Sequence, residues 1–399
     1  MSIRLSIFFL NTLLIYGQQN TGVPVIQVNE KLETVELKLS DICSDISYTK
    51  LEFDDKYPVA RIYNLHVTNE YIFFLNTYTI LRYTRDGKKV IKIGSIGQGT
   101  GEYLGGSSFV VDEKNQKMYI RVNFTKNFLA YDYVLNKYLY KFELPFDDFG
   151  GMPVVMDGTI VVTGSTNRRY STPVGYFSLK LLDSKDGKVL YEKTNPDFIK
   201  PKSEHRWQGE VVMGGATIFW KDTGNSYYSF QEIGSDTIYC MSSELKTTPR
   251  FIVNCPIRDQ GENTASFYAE TSKYLFGNLY NSNTNKVLLG YDKEMKKSFI
   301  YKQFEFEGFS DAVKSITKIR NRGVINDLDG GLPVIIPYSS HSSSHWHIFV
   351  EPFDLIEYVN SPEFKQAVVK DPKKKEELER FVKTLVEDDN PVLVTLTLK

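Results

Sequence analysis

Five stretches of the sequence repeat one pattern: an apolar strand, a polar corner and a lysine that opens the return strand. They are Ile80–Lys88, Phe128–Lys137, Leu179–Lys188, Thr237–Lys246 and Leu288–Lys297. Their first corner residues, Thr84, Asp132, Asp183, Ser242 and Asp292, recur about every fifty residues. A hairpin corner kept at one phase of such a period marks an array of four-stranded β-units. Short apolar runs fall where a preceding strand of each unit belongs: Met118–Ile120, Ile160–Val162, Ile218–Trp220 and Tyr274–Phe276. The residue types agree, since 26 Tyr and 26 Phe in 399 residues suit half-buried pleated surfaces.

The stretch Asp86–Tyr103 predicts how one unit runs into the next. Asp86-Gly87 suits a two-residue hairpin loop, across which Ile80–Tyr83 pairs with Lys89–Ile93. Gly94, Gly97, Gly99 and Gly101 then crowd one loop, closed by Glu102-Tyr103. A phosphate cradle would need a Gly-Lys-Ser/Thr ending and a following helix; neither is present, so the loop is read as a crossing between units.

Five phased copies leave room for one more. Val324-Ile325, the turn Asp329–Gly331, Val334–Ile336, His347–Val350 and the final strand Val392–Leu398 supply it. An early strand, near Val35–Leu39 or Ser47–Leu51, completes the same unit and closes the ring, which removes exposed edges. The segment 361–388 breaks the strand pattern: Leu378, Phe381, Val382 and Leu385 form one helical stripe, with Pro372 separating two short helices. The run Lys373–Glu377 is read as a solvated face. The expected fold is all-β, a six-bladed β-propeller with a short helical insertion in the last blade.

Residues 1–17 read as a signal peptide. Arg4 precedes an apolar run from Leu5 to Tyr16, too short for a membrane span, and Gly17 offers a cleavage site before Gln18. Residues 18–32 follow as a linker, and the propeller takes 33–399. The chain is expected to be exported, periplasmic or extracellular, with no transmembrane span in the mature chain. The first cysteine is Cys43, so no lipid-anchor cysteine is expected. Cys240 and Cys255 suit either a cross-strand disulfide or buried free thiols, and the three cysteines have no metal-site spacing. Charge is balanced, 48 basic against 49 acidic residues, without a basic patch interleaved with stacking aromatics, so nucleic acid is not an expected partner.

Asp86-Gly87-Lys88 with Ile93–Tyr103, Ser235–Met241, Asn326–Pro337 and the ending Asp388–Lys399 together resemble the six-bladed β-propeller proteins common in Bacteroidetes, related in architecture to NHL-repeat propellers. Thr100 stands where similar proteins commonly have proline, which loosens the loop. The resemblance implies the fold, an exported location and an association with nutrient or glycan handling at the cell envelope. It implies no particular activity.

Three groups of residues are candidate sites. Arg168, Arg169, Tyr170, His205, Arg206 and Trp207 lie in long loops, where aromatic and guanidinium groups stack on sugars or hold carboxylates. Asn326 and Asp327 precede a turn that resembles only a fragment of a calcium loop, and are placed near the channel. His341, His345 and His347 could hold a metal such as zinc, with His345 and His347 on one strand face. No cofactor is predicted, although a divalent cation suits the histidines. No Gly-x-Ser-x-Gly elbow or His-Glu-x-x-His motif is present. The first expectation is a non-catalytic binding propeller that takes a glycan, peptide or envelope protein through loops at one channel mouth. The alternative is a metal-assisted propeller hydrolase, lactonase or lyase.

Overall fold

The computed structural model describes residues 22–28, 31–104, 108–122, 125–145, 150–163, 177–194, 218–221, 228–232, 235–242, 244–255, 264–281, 284–302, 304–305, 322–337 and 342–399. The strands form six blades in a ring, a β-propeller.

The described residues begin with two short strands, β1 (Val25–Gln27) and β2 (Glu33–Val35), a helical turn α1 (Leu39–Ile42) and strand β3 (Cys43–Thr49). Blade one follows as an antiparallel meander of β4 (Ile62–Val67), β5 (Tyr71–Asn76), β6 (Thr79–Thr84) and β7 (Val90–Ile93). The crossing loop holds a short parallel pair, β8 (Ser95–Ile96) and β9 (Glu102–Tyr103). Blade two is β10 (Ser108–Asp112), β11 (Lys117–Arg121), β12 (Asn127–Asp132) and β13 (Lys137–Glu143). Blade three is β14 (Gly150–Met156), β15 (Thr159–Thr163), β16 (Phe177–Asp183) and β17 (Val189–Thr194). Blade four is β18 (Ile218–Lys221), β19 (Tyr228–Gln231), β20 (Thr237–Met241) and β21 (Thr247–Asn254). Blade five is β22 (Thr264–Glu270), β23 (Tyr274–Asn281), β24 (Thr284–Asp292) and β25 (Lys297–Tyr301). A small pair, β26 (Phe304–Glu305) and β27 (Arg322–Gly323), leads to blade six, where β28 (His345–Val350) pairs with β29 (Val392–Leu398), and β29 with β3.

The repeated corners have one chemistry. Asp132 Oδ1 accepts from the N–H groups of Val134 and Leu135, Asp183 Oδ1 from Lys185, and Asp292 Oδ1 from Glu294 and Met295. A short carboxylate that bonds the backbone two or three residues on stabilises a turn, so the corner residue recurs. In blade one the loop is longer than two residues. Thr84 N–H bonds Lys89 O, and Gly87 N–H bonds Thr84 O with Gly87 at φ +76°. A Cβ on Gly87 would lie 2.1 Å from Lys50 O, so glycine is required there.

The glycine crossing is a packed joint. Gly99 N–H donates to Glu102 Oε2 at 2.8 Å, and a Cβ on Gly97 would fall 2.0 Å from the same oxygen. Tyr103 is fully buried; its hydroxyl donates to Ile93 O at 2.9 Å and accepts from Ile80 N–H at 3.0 Å. One phenol thereby ties the loop to both outer strands of blade one.

Ring closure uses more of the N-terminus than expected. Strand β3 completes blade six, overlapping the Ser47–Leu51 alternative, whereas β2 pairs parallel to β25 on blade five and β1 parallel to β21 on blade four. The first described residues therefore run as a belt along the outer edges of blades four, five and six.

The helical insertion begins earlier than 361. It comprises α2 (Pro352–Asn360), α3 (Pro362–Gln366) and α4 (Pro372–Val382). Each opens with proline at a position where no N–H partner is needed. Ser361 Oγ and Asp371 Oδ1 cap the second and third by accepting from Phe364 and Lys373 N–H. Leu355, Phe364, Leu378, Val382 and Leu385 form a cluster over blade six. The insertion also covers the free edge of β3: Tyr48 packs on Phe381 with ring centroids 5.7 Å apart, and Lys374 Nζ reaches Ile46 O at 3.3 Å and Asp45 at 2.6 Å. Cys43 and Cys255 are buried and Cys240 is half-buried, and none of the three is joined in a disulfide, so the disulfide alternative is not realised.

Candidate functional site

The antiparallel registers give the ring two rims. At one, Ile62, Asn76 and Thr79 align in blade one and Gly150, Thr163 and Leu179 in blade three. At the other, the first strands end: Val67, Asp112, Met156, Lys221 and Glu270. First strands contact their neighbours in the order β4, β10, β14, β18, β22, so these ends surround one mouth of the central channel.

Ionisable groups from four blades converge there. His66 on β4 is buried, and its Nε2 lies 3.3 Å from Glu113 Oε1 beyond the end of β10. That hydrogen bond holds the Glu113 carboxyl below its ordinary range, against partial burial, and the charge of Lys221 adds a smaller pull. Burial lowers the Lys221 ammonium, and Glu113 opposes the shift. Lys221 Nζ stands 5.5 Å from the ring centre of buried Tyr228. Burial raises that phenol, with Glu113 adding to the effect.

Blade six contributes His345 and His347. Period-2 alternation puts them on one face of β28, their rings 6.1 Å apart and inclined by 26°. Arg85, at the outer corner of blade one, crosses to blade six and donates from Nη2 to Thr395 Oγ1 at 3.0 Å; Thr395 is the register partner of His347. Burial, then the positive charge of Arg85, then the neighbouring His345 and His66 push His347 down to about 3. His345 is lowered by burial and by Arg85. The electrostatic influence thus runs from blade six through blades one and two to blade four, across the mouth. Both imidazoles on β28 are neutral at physiological pH, and Arg85 supplies the fixed positive charge beside them.

Blade five behaves differently. Glu270, at the end of β22, is sealed: Arg250 forks onto both oxygens at 2.7 and 2.6 Å, Lys293 Nζ approaches Oε1 at 2.7 Å, and Trp220 Nε1 donates to Oε2 at 3.1 Å. This carboxylate joins blades four and five and is committed to the fold.

The loop candidates Arg168, Arg169, Tyr170, His205, Arg206 and Trp207 lie outside the described residues, as does His341. The strand ends that flank those loops, Thr163, Phe177, Thr194 and Ile218, belong to the opposite rim. Asn326 and Asp327 are described and buried. Asp327 accepts from Ser40 N–H at 2.8 Å and Ser40 Oγ at 2.6 Å, and Asn326 Nδ2 donates to Asp329 Oδ1 at 2.7 Å. Asp329 Oδ2 accepts from Tyr48 at 2.9 Å, and Lys370 N–H bonds Asp327 O at 2.7 Å. The turn is a clasp that ties the belt and the helical insertion to blade six. Among the described residues no three His, Cys, Asp or Glu side chains gather as a metal site. Sequence reasoning did not single out His66, Arg85, Glu113 or Lys221. Their shared signal is position, at strand ends or corners of different repeats.

Comparison with known proteins follows the fold. The family described as "Domain of unknown function (DUF4934)" matches residues 23–397. A crystal structure of a Bacteroides fragilis protein provisionally named as exported is similar over 94% of this chain and 99% of its own, with TM-score 0.61 and 16% identity. A DUF4221 family member from Bacteroides vulgatus matches 69% of this chain and 90% of its own at TM-score 0.40 and 11% identity. A virginiamycin B lyase from Staphylococcus aureus matches 55% of this chain and 62% of its own at TM-score 0.32 and 12% identity. The first of these supports the fold; the other two are too distant to carry an argument. No curated protein matches the chain. No helix among the described residues is long and apolar enough to cross a membrane.

Proposed function

Since this chain belongs to the DUF4934 family, whose description assigns no function, we propose from its own chemistry that it is an exported binding propeller. Its ligand sits at the channel mouth where the first strands end. The observation that carries this reading is the convergence of His66, Glu113, Lys221 and His347 from blades one, two, four and six. A site assembled from distant parts of the sequence, with polar groups left facing a concave mouth, is the usual form of a small-molecule site. Export is supported by the leader-like residues 1–17 and by the name of the similar Bacteroides fragilis protein. The loops carrying Arg168–Tyr170 and His205–Trp207 are proposed as a second contact surface, for a glycan, peptide or envelope protein.

The test is thermal unfolding of the protein from Gln18 onward against neutral oligosaccharides, acidic sugars, peptides and divalent cations. A ligand at a hundred times its Kd adds about 2.7 kcal/mol of stability, enough to raise the midpoint measurably. One class of organic ligand is expected to stabilise the protein, with the gain lost in Glu113→Gln. A panel without effect counts against the reading. The 3.3 Å contact of His66 with Glu113 also favours a second reading, acid–base chemistry in a hydrolase, lactonase or lyase. Stabilisation by a cation, reversed by chelator, would favour the metal-assisted form.

A further inference from the structure

Along most of the ring, each seam between neighbouring blades pairs a carboxylate of one blade with a cation or imidazole of the other. His66 meets Glu113 between blades one and two, and Lys114 meets Asp157 at 2.5 Å between blades two and three. Lys193 meets Glu232 at 2.8 Å between blades three and four, and Arg250 meets Glu270 at 2.6 Å between blades four and five. The seam between blades six and one has the cation, Arg85, but among the described residues no carboxylate forms an ion pair with it. Among the described residues its side-chain hydrogen bond goes to a neutral hydroxyl, Thr395 Oγ1. A guanidinium carries five donors. Arg85 is half-buried, and among the described residues none of its remaining nitrogens is both buried and without a partner.

We propose that this seam binds a carboxylate group from a ligand, with the Arg85 guanidinium as its anchor and the His345 and His347 imidazoles beside it. The proposal rests on reading this mouth as the ligand site. Arg85 would do for the ligand what Arg250 does for Glu270, a forked contact on both oxygens. The neutral imidazoles can donate one ring N–H each without adding charge to the half-buried seam. Glu113, coupled to the same mouth through His66, opposes a second negative charge. The site therefore suits a singly charged, planar carboxylate rather than a phosphate dianion.

The experiment titrates the protein with acetate, D-glucuronate, D-glucose and inorganic phosphate, following affinity by calorimetry and the His345 and His347 rings by NMR. Glucuronate is expected to bind and shift both rings, acetate to shift them more weakly, and glucose to do neither. Arg85→Gln should weaken glucuronate at least tenfold, and Arg85→Lys should restore part of the loss. If Arg85→Gln does not fold, the ring shifts of the unaltered protein decide, since acids that leave both rings unmoved overturn the proposal. Phosphate binding in place of carboxylate also overturns it. If glucose binds as well as glucuronate and is indifferent to Arg85, the carboxylate assignment fails while the mouth stands as a binding site. If no probe binds, both fail.

Discussion

His347 sits between a guanidinium and two other imidazoles, and protonating it would place a second positive charge in a half-buried seam. It should stay neutral down to about pH 3. The unfolded chain protonates the same ring near its ordinary value of 6.5. Above that pH both states hold it neutral. As pH falls from 6.5 toward 3, the unfolded state binds more protons, so the group's contribution to stability falls with pH in that window. Removing the charge in Arg85→Gln raises the His347 pKa and shrinks the effect. NMR titration of the ring and urea midpoints at pH 7 and pH 5 check both statements; a His347 that titrates near 6.5 in the folded protein would be incompatible with this geometry. The sequence showed that His345 and His347 share a strand face, because alternation is local. It could not show Arg85 or His66 beside them, since those contacts exist only once the ring brings blade one against blade six.

At the scale of elements, the corners were legible because one short side chain performs the same local task in each blade, as Asp132, Asp183 and Asp292 do. The crossing loop was legible for a similar reason, although the task of Glu102, folding back onto Gly99, shows only in three dimensions. Strands β1 and β2 were not legible: three residues each, on an edge, leave no periodicity to read. The Glu270 junction was equally hidden, because its partners come from two blades. Glu270→Ala should cost about 3–5 kcal/mol, since it leaves Arg250 and Lys293 facing each other in a largely buried joint. The loss should lie toward the lower end, because both cations keep some contact with solvent, 21% and 18% of their side chains. Chemical denaturation measures it, and a loss below 1 kcal/mol would mean that the joint is not a structural clasp.

For the whole molecule, the belt decides how the ring is held. Ile26 and Val28 are fully buried against blade four, and full burial of such side chains contributes about 1.5–3 kcal/mol each. Deleting residues 22–35 should therefore lower the unfolding midpoint and raise protease sensitivity at β21 and β25 while leaving blades one to three protected, as hydrogen exchange would show. Uniform loss of protection would mean that the ring unfolds as one unit and the belt is not a local fastener. The belt also imposes an order in time. Residues 25–49 are made first, yet their partners lie at 252–254, 299–301 and 393–398. A growing chain must hold those strands unmatched until residues 393–398 exist, and a product that stops before them leaves β3 and several sheet edges without partners. Synthesis of β29 is thereby coupled to closure, so that products truncated before it remain the form most open to proteases and to edge-to-edge association.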